Sequence, residues 1–136
     1  MNDLKSFRSP PVDLSRFAHL DVLMEIDGMD LLSHMMDAHG RWWMRHWMDQ
    51  ERTQEHLVER HLYYVVDRKT FYGIKEGVMP MRQAIIASPE TFVCDSMYRL
   101  MGGAPFPKAE KEIFYRLPVQ ELPDDCLPRE GVVLEH

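Results

Sequence analysis

Apolar positions along this chain recur mostly at spacings of three and four. Leu14, Phe17, Leu20 and Met24 form one such stripe, opened by Asp13 as a plausible N-cap and stopped by Asp27-Gly28, so the pattern predicts a first helix. A second stripe, capped by Asp30, runs through Leu31, Leu32, Met35, Met36, His39, Trp42, Trp43 and Trp47, with Gly40 as a kink or a break. Good helix formers fill Asp49 to His61, with Glu51, Glu55 and Glu59 on one ridge. The spacing therefore predicts one helix over 41–61, the longest of the chain.

Further along, Leu62-Tyr63-Tyr64-Val65-Val66 has the composition of a strand but follows that helix without a breaker. Gly73 and Gly77 mark irregular structure, and Pro80 suits the first turn of a short helix through Ile86. The clearest local signal is Ser88-Pro89-Glu90, an N-cap, a first-turn proline and a dipole-compensating acid. Phe92, Val93, Met97, Leu100 and Met101 then give a buried face, and Gly102-Gly103 ends the predicted helix. Five of the nine prolines lie between Pro105 and Pro128, which predicts an extended arm interrupted by one short element at 108–117.

The fold this implies is mainly α: a small single-domain bundle of four to five helices. An extended proline-rich C-terminal arm follows, and 62–66 and 112–117 would supply a short β pair. An extended lead-in occupies 1–12, where Ser9-Pro10-Pro11 opposes helix, the helical core 13–103, and the arm 104–133. Leu134-Glu135-His136 reads as the start of an appended histidine tag, so His136 enters no site.

Composition bounds the function. The chain has 136 residues, 45% hydrophobic and 28% charged, which suits one globular domain with a core of ordinary size. A formal net charge of -6 with scattered Lys and Arg opposes a nucleic-acid partner. No apolar run reaches a membrane span and no signal segment is visible, so a cytoplasmic protein is expected. Cys94 and Cys126 form no motif and are expected to remain thiols.

Motifs that would identify an enzyme, such as HExxH, GxSxG, a phosphate loop or CxxC, are absent. The reading leans away from an enzyme and predicts no cofactor. As an alternative, Asp30, His34 and Asp37 at successive turns of one helical face would suit a divalent ion, with His39, His46, His56 and His61 as further candidate ligands. Haem is weighed too, because eleven methionines interleave with histidine around Met44-x-His46-x-Met48. Cys94 would be a nucleophile only if His19, His56 or His61 came near it.

All three tryptophans, Trp42, Trp43 and Trp47, fall beside Arg41 and Arg45. On a helix they cover too wide an arc for one seam, which points either to a protein–protein interface, with a partner or with a second copy, or to a central helix buried on two sides by its own chain. The leading expectation is a small accessory or regulatory subunit of a larger complex. A metal- or cofactor-binding protein is the alternative, and a small-molecule sensor with an aromatic pocket a third reading. One short stretch, Asp30-x-Leu32-Ser33, Trp42 and Asp49-x-Glu51-Arg52, resembles the small delta subunits of alternative nitrogenases over some 23 residues with one gap. The tryptophan those subunits carry before the acidic pair is missing, so the likeness implies no more than an accessory role.

Overall fold

Strands carry the long apolar stripes. The structure is a computed structural model, and residues 16–115, 119–124 and 127–134 are described. Four strands come first, β1 (Ala18–Ile26), β2 (Met29–Met36), β3 (Trp42–Arg52) and β4 (His56–Val66). Two short helices follow, α1 (Arg68–Lys75) and α2 (Met81–Ala87), then β5 (Thr91–Met101), β6 (Ala104–Pro105) and β7 (Lys111–Tyr115). A 3-10 turn spans Val119–Glu121. All strands join one antiparallel sheet in the order β1-β2-β3-β4-β5, with β7 on the outer side of β5 and β6 against its end.

The helical-bundle expectation is thus overturned at each long element. The first predicted helix is β1, 41–61 is β3 and most of β4 joined by a turn at 53–55, and 89–101 is β5. Asp13, the expected N-cap, and the 1–12 lead-in lie outside the described residues. The short helix after Pro80 is present, with Pro80 as its N-cap. Strands do occur at 62–66 and 112–115, but each pairs with β5 and not with the other.

The physical reason is burial on both faces of the sheet. A strand covered on one side only alternates apolar and polar, whereas one covered on both sides is apolar throughout. Trp42, Trp43, Met44, His46 and Met48 are such a run, and it satisfies a three-four template as readily as a period of two.

Cross-strand partners point to the same face, so the register sorts the side chains into two sets. One face presents Leu32, Met44, Met48, Leu62, Tyr64, Val66 and Val93, and α1 and α2 pack on it through Phe71, Ile74, Met81, Ala84 and Ile85. Leu122, Leu127 and Leu134 complete this core, so the proline-rich arm lies on its own chain. Leu134, which reads as part of a tag, is one of its buried residues. The opposite face carries a smaller aromatic cluster of Trp43, Tyr63, Phe92, Cys94 and Phe114, with Phe17 packed against it.

Candidate functional site

On the face away from the helices, the aromatic cluster gives way to polar side chains along the strands. Register places Ser33, Arg45, Tyr63 and Phe92 in one row across β2–β5. The next row is Trp47, His61, Cys94 and Phe114, and the one after it Gln50, Glu59, Ser96 and Glu112. Successive rows are roughly 7 Å apart. A bulge between Trp47 and Asp49 keeps Trp47 and Gln50 on this same face.

Arg45 and His61 form the centre. The Arg45 guanidinium donates from Nη2 to His61 Nε2 at 3.1 Å. His61 is 3% exposed. Burial, with the Arg45 charge and His46 adding to it, pushes the His61 imidazole down to about 3. The ring is therefore neutral near pH 7, accepts at Nε2 and carries its proton on Nδ1. Glu59 Oε2 stands 4.0 Å from the same Nε2. Arg45 forms no ion pair among the described residues, so its charge is met only by a neutral ring.

Two further donors face the same region without acceptors. Arg45 Nε and Trp47 Nε1, two residues apart on one strand face, are buried and make no hydrogen bond among the described residues. An unmet buried donor costs about 1–3 kcal/mol. Two of them next to an unneutralised guanidinium form a set aimed at an acceptor-rich group.

Neighbouring side chains shape this face without offering a nucleophile. Burial pushes the Cys94 thiol up to about 12; its contact with Ser96 Oγ at 3.7 Å works the other way, and Glu112 adds to the rise. That thiol stays protonated and inert at neutral pH. Burial likewise raises Tyr63 and Tyr98 above the usual phenol range. Ser96 Oγ donates to Glu112 Oε2 at 3.4 Å.

The residues singled out from sequence scatter over both faces. Trp43 is completely buried, its Nε1 bonded to Asp37 Oδ2 at 2.9 Å and its ring packed edge-on to Phe92 and tilted against Phe17. Arg41 pairs with Asp37 and Glu90 beside it. Trp42 lies on the helix-covered face against His34 and Phe71, under the Arg68 guanidinium, at a surface pocket it shares with Arg41. Arg41 and Trp43 meet at Asp37, and Arg45 and Trp47 fall in adjacent rows of the far face.

The metal candidates do not converge as a helix would have brought them. Asp30 approaches His19 at 3.5 Å, and His56 approaches Glu110 at 3.7 Å. Asp37 is held by Trp43, Arg41 and the turn amides, and His39 sits exposed in that turn. His34 and His46 do share the helix-covered face with Tyr64, and His34 Nε2, His46 Nδ1 and the Tyr64 hydroxyl are buried without hydrogen-bond partners among the described residues. Among the described residues no three His, Cys, Asp or Glu side chains are grouped to hold an ion.

Ser96, Glu112 and Tyr98 do not figure among the sequence-based candidates, and Glu59 enters there only as part of a helical ridge. A period of two would have found part of the set, since Arg45-x-Trp47 and Glu59-x-His61-x-Tyr63 each fall on one strand face.

Compared with known proteins, the chain matches no protein-family model, no curated protein and no solved structure.

Proposed function

We propose that this chain is a small-molecule binding protein whose polar sheet face receives an acidic ligand at Arg45. The observation that carries the reading is the Arg45 guanidinium, bonded to a neutral imidazole, with its own Nε and the Trp47 Nε1 buried and unpaired. A carboxylate accepts from a guanidinium in two parallel bonds and would also take the indole donor. Tyr63 and Phe92 stack on each other in the buried layer next to Arg45, and Trp47 lies in the next row. This reading is closest to the small-molecule sensor expected from sequence, with a sheet face in place of a helical pocket.

The test is a thermal-shift and calorimetric survey of small organic carboxylates against their neutral amides. Carboxylates should bind and the amides should not, and Arg45→Gln should weaken binding at least about tenfold, the worth of one charge-assisted contact. Equal binding of acid and amide, or an unchanged Arg45→Gln affinity, would reject the proposal.

A second reading, the accessory subunit, rests on a different observation. β1 ends the strand order and exposes Leu20 and Ile26, at 46% and 55%. If β1 is the partner-binding edge, Leu20→Lys should dissolve an assembly seen by native mass spectrometry. A monomer in both forms would dismiss self-association through β1.

A further inference from the structure

The charges on the polar face are arranged as a dipole, and this deepens the proposal above by naming its ligand class; it rests on that reading. Arg45 supplies the cation in one row of the face, and Glu59 and Glu112 supply carboxylates two rows along. The two signs stand close because both approach the same His61 nitrogen: its Nε2 accepts from Arg45 at 3.1 Å and lies 4.0 Å from Glu59 Oε2.

A neutral imidazole in that position neutralises neither charge. Glu59 keeps its carboxylate without a Lys or Arg partner among the described residues, and so does Glu112, whose only polar contact there is the Ser96 hydroxyl. Glu59 is also partly sheltered, its side chain 20% exposed. Charges of opposite sign that flank one neutral spacer and do not pair with each other match a ligand bearing the complementary pair.

We infer that the site takes a close-set zwitterion of the α-amino acid class, its carboxylate on Arg45 and Trp47 Nε1 and its ammonium toward Glu59 and Glu112. Size and charge separation both favour this class. The carboxylate and ammonium of an α-amino acid sit on one carbon, so they span about the gap that a single imidazole nitrogen holds open between Arg45 and Glu59. A simple acid would satisfy Arg45 and leave Glu59 unmatched, while a simple amine would do the reverse.

The experiment uses the full chain and matched pairs of probes: each of a set of α-amino acids, its deaminated carboxylic acid and its decarboxylated amine, titrated calorimetrically at pH 7. The amino acid that fits should bind about tenfold or more tighter than its deaminated acid, and the amine should bind more weakly still. Glu59→Gln should bring the ratio of amino acid to deaminated acid close to one. Deaminated acids binding as tightly as amino acids would overturn the zwitterion inference and leave the acid-binding proposal standing. No binding by any carboxylate would overturn both. Because the probe series is read on the parent chain, the inference stands or falls even if a variant folds poorly.

Discussion

Asp37 accepts four hydrogen bonds, and its contacts explain a local stability. Its Oδ2 accepts from Trp43 Nε1 and Arg41 Nε, and its Oδ1 from the amides of His39 and Arg41, each at 2.9 Å. Burial alone would raise its titration point, but these bonds, led by that from Trp43, outweigh it and hold the carboxyl down to about 2. A depressed carboxylate stabilises the fold above its ordinary value near 4 and loses that contribution as pH falls toward 2. Asp37→Asn should therefore cost about 2 kcal/mol at pH 7 by urea denaturation, with the difference from the parent shrinking below pH 4. A cost under about 0.5 kcal/mol would show that the tryptophan and turn amides do not depend on the charge.

Between β1 and β2, the turn is made by Asp27 and Gly28, both at positive φ, 51° and 79°, with Ile26 and Met29 paired across it. That is the two-residue hairpin connection whose twist suits antiparallel strands. Nothing lies within 4 Å of a Cβ built on Gly28, so Gly28→Ala meets no clash and pays only the backbone penalty. It should lower stability by about 1 kcal/mol in the same assay, and a neutral result would mean the turn relaxes to another type.

The same dipeptide shows why the fold was only partly readable. Asp27-Gly28 is as good a helix stop as a hairpin turn, and the choice depended on the stripe before it. The stripes that follow it, in β2 and β3, are apolar at consecutive positions, because helices and arm cover one face and aromatic residues fill the other. Ser88-Pro89-Glu90 misled for a related reason. Ser88 Oγ bonds the carbonyls of Val65 and Glu90, so it ties the entry of β5 to β4 instead of capping a helix. What remained readable was local: the short helix after Pro80 and strand composition at 62–66 and 112–115.

At the scale of the whole molecule, acid should unfold this protein early. Burial holds His46 down to about 4, and burial with the Arg45 charge and His46 holds His61 at about 3; His34 is lowered in the same sense. Both rings stay neutral when folded but titrate near 6.5 once unfolded. Their stabilisation is complete above pH 6.5 and is lost as pH falls toward 4 and 3. Each costs about 1.4 kcal/mol per pH unit within that window, and two of them over two units approach about 5 kcal/mol, a large part of a small domain's stability. Unfolding free energy should fall as pH drops through 6.5, with a slope that steepens toward two protons near pH 5, and His46→Gln should flatten it toward one. A flat profile in the parent would mean the rings are protonated in the folded state. The candidate site belongs to this scale as well. Arg45 and Trp47 were visible beside each other in sequence, but His61, Glu59 and Glu112 reach them only through the pairing of β3, β4, β5 and β7, which no local spacing encodes.

The excursion that carries α1 and α2 leaves the sheet at Val66 and returns at Thr91, and its two ends are stitched by Val65 N to Glu90 O at 3.1 Å and by the Ser88 hydroxyl. It behaves as a cassette plugged into one socket between β4 and β5. Its side chains enter one face of the sheet, while Arg45, His61 and Glu59 stand on the other. The roof and the face proposed to bind ligand are thus separate: a resurfaced cassette that keeps Phe71, Ile74, Met81, Ala84 and Ile85 should leave binding at the far face unaltered.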